Sequence, residues 1–225
     1  MNVFIDIETI PTQPEDEARS LIAKSISAPK TMSKAETIEA WHNGEGKYAG
    51  EKDKAIEAAY RKTSLSGTTG EIISIAWAVD DGEIFRFSRE SSDSEHHLLY
   101  LFALELNEQL ALRPAYFIGH NVRFDLRFLY QRAVINNGFK SLDLKQNGRH
   151  SNDFFCTMEA WAGFGQRISQ DNLCKALGIE GKPEGIDGSK VWDYVKAGDI
   201  KKVEEYNADD VDKLRQIYNR IKSYS

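Results

Sequence analysis

Asn2-Val3-Phe4-Ile5-Asp6-Ile7-Glu8 is the stretch that decides the fold. Its β-branched and aromatic residues form a strand, ended by Pro11. Apolar residues on both faces mark a central, buried strand. Strand side chains alternate, so Asp6 and Glu8 share a face, roughly 6–7 Å apart along the chain. Two acids on one face of a buried strand repel and are costly unless something pairs them. A divalent cation would pair them. Taken alone, Asp-x-Glu is also what a strand with one solvated face looks like.

Working outward, residues 12–69 change character. They are rich in Lys, Glu, Ala and Ser, and Gly44, Gly46, Gly50, Gly67 and Gly70 punctuate them. Helical stretches are expected near 33–42 and 51–62, within a partly helical insertion between the first two strands. A second strand follows at Glu71 to Val79, then a turn at Asp80-Asp81-Gly82 and a third strand at 83–88, which makes a hairpin. Residues 93–110 form an amphipathic helix with Leu98, Leu99, Phe102, Leu106 and Leu110 on one side. Ala115 to Gly119 is a short strand and 122–136 a helix. Residues 153–158 form a fifth strand, helices follow near 169–177 and 188–197, and the last helix covers 199–222. This order predicts an α/β layer fold, a mixed sheet with helices packed on it. The whole chain, 1–225, reads as one domain with the insertion at 12–69.

Two more acids stand out. Asp125 lies in Gly119-His120-Asn121-Val122-Arg123-Phe124-Asp125, where a strand ends and a helix starts at once. Helix N-termini favour Asp through the macrodipole, so Asp125 alone has a structural explanation. His120 is expected as a satisfied or solvated histidine. In the last helix Val203, Asn207, Asp210, Leu214, Ile217 and Ile221 recur at spacings of three and four, an inward stripe with Asp210 in its middle. Asp209 lines up with Lys202, Glu205, Lys213, Gln216 and Arg220 on a solvated face, and Asp212 is off the stripe. Tyr206, four residues before Asp210, shares its side of the helix. A buried Asp needs a partner, and no Lys or Arg sits on that stripe, so a backbone group, a water or a cation would have to serve.

Composition narrows the function classes. The 41% hydrophobic and 28% charged fractions fit an ordinary globular protein, which sets aside long disorder and collagen-like architecture. No run of about 18 apolar residues exists to span a bilayer, and Asp6 and Glu8 break what would otherwise pass for a secretory signal. Two distant cysteines with no Cys-x-x-Cys argue against a zinc ribbon and suit a reducing cytoplasm, including that of an infected host cell. The net charge of -6 is not that of an obvious nucleic-acid binder. That objection lapses if acids gather around divalent cations, because the metals then supply the local positive charge.

Three motifs in order, Asp6-x-Glu8 on the first strand, Asn121-x-x-Phe124-Asp125 at a strand-to-helix junction and Tyr206-x-x-x-Asp210 on a late helix, resemble those of the DEDD superfamily of 3'-to-5' exonucleases. The tyrosine variant, DEDDy, is the closer match, since no His follows His150. The chain looks in particular like the exonuclease domain of family B DNA polymerases and its stand-alone relatives, and Asp171 to Ile179 adds to that likeness. The insertion fits the superfamily pattern least.

The resemblance implies a ribonuclease H-like, five-stranded mixed sheet flanked by helices. It implies two divalent metal ions, Mg²⁺ or Mn²⁺: one held by Asp6, Glu8 and Asp210, the second by Asp6 and Asp125, partly through water. Two such ions roughly 3.5–4 Å apart activate a water and stabilise the leaving 3'-oxygen of an in-line displacement. Tyr206 would orient that water rather than deprotonate it, a free phenol having a pKa of about 10. Thr9, Ile10, Asn121 and Phe124 are candidates for contact with the terminal nucleotide, or are packing. Lys182, Lys190, Lys201 and Lys202 are candidates for the backbone, or simply a solvated face. The expected substrate is a nucleic acid with a free 3' end, DNA favoured over RNA and single-stranded, releasing nucleoside 5'-monophosphates. The chain begins at the acidic strand and ends just after the acidic helix, so an exonuclease without an attached polymerase is expected. Three other readings stand beside it: an RNA-trimming exonuclease, whose site chemistry is identical; a non-catalytic binding module on the same fold, disfavoured because all four acids and the tyrosine are present; and a helper whose insertion docks a replication or repair partner. Trp41, Tyr48 and Tyr60 would anchor such a partner, though they are expected first as the insertion's local core.

Overall fold

The computed structural model of the protein describes residues 1–137, 154–181 and 187–224. It divides into two compact units, Met1–Thr9 with Ile72–Ser225, and Ile10–Glu71. The first unit is built on a five-stranded sheet in the order β3-β2-β1-β4-β5. These strands are β1 (Asn2–Ile10), β2 (Glu71–Val79), β3 (Ile84–Ser88), β4 (Tyr116–Gly119) and β5 (Phe154–Cys156). β1 is the middle strand, as its two-sided apolar character requires. β4 pairs parallel to β1, with Val3 opposite Phe117, and β5 parallel to β4. β3 returns antiparallel to β2, with Ser74 opposite Ser88, through the expected turn in which Gly82 donates to the Val79 carbonyl. The sheet is mixed, and helices flank it.

Alternation along β1 sorts the core into two layers. Val3, Ile5 and Ile7 face one side, packing with Leu98, Leu99, Phe102 and Leu106 of α4 (Glu95–Leu110) and with Leu126 and Leu129 of α5 (Val122–Ile135). Phe4 faces the other side, with Ala76, Ala78 and Ile118, against Val211 and Leu214 of α9 (Ile200–Lys222). The even-numbered residues of β1 therefore look toward α9. Behind α9 lie α6 (Thr157–Ala162), α7 (Gln170–Leu177) and α8 (Val191–Lys196). Leu173 and Cys174 of α7 pack with Ile217 of α9. The expected strand at 153–158 is shorter: residue 153 is outside the described residues, and Thr157 and Met158 already start α6. Cys156 and Cys174 are buried free thiols. Among the described residues no helix is long and apolar enough to cross a membrane.

The second unit is the insertion. It holds α1 (Glu15–Ser25), α2 (Ala35–Asn43) and α3 (Glu51–Lys62). α2 and α3 are where the sequence pattern puts them; α1 is an addition to it. Trp41 and Tyr60 are buried, so both are local core, while Tyr48 is half-buried beneath the Lys47 ammonium. The Arg19 guanidinium sits 4.5 Å from the Tyr60 ring centroid and bonds both Glu15 and Glu57. Gly70 closes the unit: a Cβ there would lie 2.7 Å from the Thr63 carbonyl oxygen.

Candidate active site

The alternation that sends Phe4 toward α9 sends Asp6 and Glu8 the same way. α9 brings Asp210 to meet them. One carboxylate oxygen from each of the three acids lies within 4.8 Å of the others. Glu8 is 8% and Asp210 4% exposed, and Asp6 is half-buried. Unit charges 4.8 Å apart repel by about 3 kcal/mol per pair at an effective dielectric near 20. Such a cluster holds together when a cation or a proton sits among the acids. Oxygen donors without nitrogen or sulfur are what Mg²⁺ and Mn²⁺ prefer, so these residues fit a hard divalent ion.

Tyr206 is buried beside the cluster, and its hydroxyl is bonded to Asp210. Burial, and then the Asp210, Glu8 and Asp6 carboxylates, push its ionisation far above that of an ordinary phenol. Asp125 is 3% exposed and accepts hydrogen bonds from its own amide and from that of Ile7, the residue between Asp6 and Glu8. It is not one of the three acids that meet within 4.8 Å. Burial pushes its carboxyl up to about 8, against the pull of those two backbone bonds.

The junction that delivers Asp125 explains its own sequence. Asn121 has φ 66 and ψ 36, a left-handed conformation that Asn tolerates better than most residues, and its carbonyl accepts from Phe124 N–H at 2.8 Å. Gly119 precedes it because a Cβ there would lie 2.8 Å from Val122 Cβ, so the first turn of α5 can fold back onto β4. His120 is satisfied, as expected: Nε2 donates to the Ile168 carbonyl at 2.8 Å, and Nδ1 lies 3.0 Å from Thr157 Oγ1.

The remaining candidates divide. Phe124 packs against the core, its ring centroid 5.5 Å from that of Phe128, and Thr9 and Asn121 are half-buried. Ile10 is fully buried, which leaves it no surface for a nucleotide; it is packing. Lys190 is exposed, Lys201 pairs with Glu205 at 3.8 Å, Lys202 lies over the Tyr194 ring, and Lys182 lies outside the described residues. On α9, Asp212 accepts from Arg215 and Gln216, and Asp209 is ion-paired with Lys213. The expected solvated face needs one correction, because Lys213 is 4% exposed. Its methylenes are covered while its ammonium reaches back one turn to Asp209, as long cationic side chains do.

Three residues beyond the motifs support the cluster. Gln170 Nε2 donates to the Asp210 carbonyl at 2.7 Å, tying the start of α7 to the middle of α9. Asn207 Nδ2 donates to Asp6 Oδ2 at 2.7 Å, and Ser74 Oγ donates to Asn207 Oδ1 at 2.9 Å. Their signal in the sequence was polarity in the wrong place: Ser74 interrupts an apolar strand, and Asn207 sits on an apolar stripe.

A family model described as a predicted 3'-5' exonuclease related to the exonuclease domain of PolB matches residues 65–225. The chain belongs to this exonuclease family. The matched span contains Asp125, Tyr206 and Asp210; Asp6 and Glu8 precede it and reach the same place because β1 is the middle strand. No curated protein sequence matches the chain. Among solved structures it is similar to the family B DNA polymerase from the hyperthermophilic archaeon Pyrobaculum calidifontis, with a TM-score of 0.59 at 14% identity, over 97% of this chain and 24% of the polymerase. The likeness shows the fold alone, and the chain spans about a quarter of that polymerase's length.

Proposed function

We propose that the protein removes nucleoside 5'-monophosphates one at a time from the 3' end of single-stranded DNA, with two divalent cations, Mg²⁺ or Mn²⁺. The observation that carries this reading is the meeting of Asp6, Glu8 and Asp210 within 4.8 Å, largely out of water, in a chain of the exonuclease family. Asp6, Glu8 and Asp210 hold one cation, and Asp6 and Asp125 share the second. When bound, the cations supply the positive charge that draws a phosphodiester into an all-acid cleft, and the Lewis acidity that the displacement needs.

The protein's own groups do the positioning. Burial and the neighbouring carboxylates favour the protonated Tyr206 phenol, which suits orienting the water rather than deprotonating it. Its hydroxyl donates to Asp210, and its oxygen accepts from the attacking water, aiming that water at phosphorus. Asp125 has to ionise to ligate, and ionisation of a carboxyl pushed up to about 8 is coupled to cation entry. DNA is preferred over RNA by analogy with the polymerase whose fold the chain shares. Residues 1–225 act as one exonuclease domain whose insertion tunes strand choice and carries no catalytic group.

The test uses matched 5'-labelled DNA and RNA strands with Mg²⁺ or Mn²⁺. Stepwise shortening of the DNA, stopped by EDTA, is expected. Faster shortening of the RNA would replace the substrate, and comparable cutting of a closed circular strand would replace the exonuclease by an endonuclease.

A further inference from the structure

Asn207 is fully buried on α9, between Tyr206 and Ala208, and Ser74 is fully buried in β2. The hydrogen bonds from Ser74 Oγ to Asn207 Oδ1, 2.9 Å, and from Asn207 Nδ2 to Asp6 Oδ2, 2.7 Å, form one chain across three elements. Its direction is fixed from the Asp6 end. An ionised carboxylate only accepts, so the amide nitrogen must face Asp6. The amide oxygen then faces Ser74, whose hydroxyl donates to it. With Oδ2 held, the Asp6 carboxylate no longer turns freely about its Cβ–Cγ bond. A buried Asn has to bond something, and backbone groups would satisfy it as well. Here it is committed to an acid of the cluster, and it links the helix carrying Tyr206 and Asp210 to the strand carrying Asp6 and Glu8.

We infer that Asn207 is a positioning residue: clamped by Ser74, its amide holds the Asp6 carboxylate in the single orientation in which it meets a divalent cation. The inference rests on the metal-site reading above. Outer partners of metal ligands typically govern 10- to 100-fold in metal affinity or activity. Asn207 sets cation affinity and leaves the strand's own binding alone. Ser74 acts only through Asn207.

The test is a Mg²⁺ and Mn²⁺ titration of the full chain without substrate, by calorimetry and by melting temperature. It covers wild type, Asp6→Asn, Asn207→Ala, Ser74→Ala and the double variant. The wild type should bind saturably and Asp6→Asn should not. Asn207→Ala should bind roughly 10- to 100-fold more weakly, and Ser74→Ala a few-fold more weakly. The double variant should be no weaker than Asn207→Ala, because residues of one network are not additive. Turnover by Asn207→Ala should recover toward wild type at saturating cation, with an unchanged KM for the strand. A purely structural asparagine would instead lower the metal-free melting temperature and leave the cation midpoint where it was. A wild-type midpoint in folded Asn207→Ala, or independent effects of the two substitutions, overturns the inference. If Asn207→Ala does not fold, Ser74→Ala decides: an unchanged midpoint overturns it. Flat titrations of both wild type and Asp6→Asn would overturn the metal reading itself, and this inference with it.

Discussion

Glu57 of the insertion and the acid cluster of the sheet unit are opposites, although the sheet unit also holds paired acids such as Glu95 with Arg132. In the insertion, Glu57 accepts from both Arg19 and Arg61, and Arg19 also bonds Glu15. Burial pulls the Glu57 carboxyl up, but the two guanidiniums more than offset it, and the net shift is downward. In the sheet unit, Asp6, Glu8 and Asp210 gather on one another, and burial drives Asp125 and Tyr206 upward. Acids paired with arginines have found their partners inside the fold. Acids packed on acids favour something from outside it. That contrast, more than the acid count, locates the function.

The largest expected effect comes from Asp6, the acid assigned to both cations. Asp6→Ala should abolish turnover, losing more than the roughly 10- to 100-fold that outer partners cost. Its metal-free form should melt above metal-free wild type, because one repelling carboxylate is gone. Turnover near wild type in a folded variant would break the two-cation assignment.

Next is the pH dependence of stability. Asp125 has a folded-state pKa raised from 3.8 to about 8. Its stabilising contribution is therefore fully present below about pH 4, shrinks as the unfolded chain ionises first, and is gone above about pH 8. Chelator-treated protein should lose stability across that window, by at most about 6 kcal/mol from this group. Asp125→Asn should flatten the loss, and saturating Mg²⁺ should reverse it. Identical pH profiles for the variant and wild type would contradict the burial argument.

Tyr206→Phe should be intermediate, roughly a 10- to 100-fold loss of turnover that saturating cation does not restore, because it removes a water-orienting hydroxyl and no ligand. A rate that rises with pH in wild type and is pH-independent in Tyr206→Phe would instead make the tyrosine a base. The smallest effect belongs to the insertion. Glu57→Gln breaks a partly exposed pair and should cost under about 1 kcal/mol in thermal stability, leaving turnover of a short strand unchanged. A large loss of turnover in a folded variant would mean that the insertion carries more than strand choice.

Much of this was legible because periodicity reports what a single element buries. β1, the hairpin of β2 and β3, α4 and the inward face of α9 all follow from alternation or from spacings of three and four. α1 escaped because only Ala18 of its residues is buried, so it has no apolar stripe. Its signals were of another kind: Pro14 before it, three acids in its first turn and Lys24 in its last. Lys213 was misplaced because periodicity gives a direction and not a depth. The link from Ser74 through Asn207 to Asp6 joins residues 133 and 201 positions apart, a separation that no local pattern encodes. The identity of Asp6, Glu8, Asp125 and Asp210 as one set came from motif order, and the fold then brought three of them within reach of one cation.

The most direct measurement compares two adjacent residues of one helix. Asp210 faces Asp6 and Glu8, whereas Asp209 is ion-paired with Lys213, so their isosteric amides should behave as opposites. Magnesium titrated against melting temperature should raise the stability of wild type and of Asp209→Asn alike, since an ion that binds only the folded chain stabilises it by mass action. The rise should shrink or vanish in Asp210→Asn, together with metal-dependent shortening of a labelled strand. Asp212→Asn should track wild type within a few-fold. A dead Asp209→Asn beside an active Asp210→Asn would contradict both the inward face assigned to α9 and the claim that these gathered acids are the nuclease site.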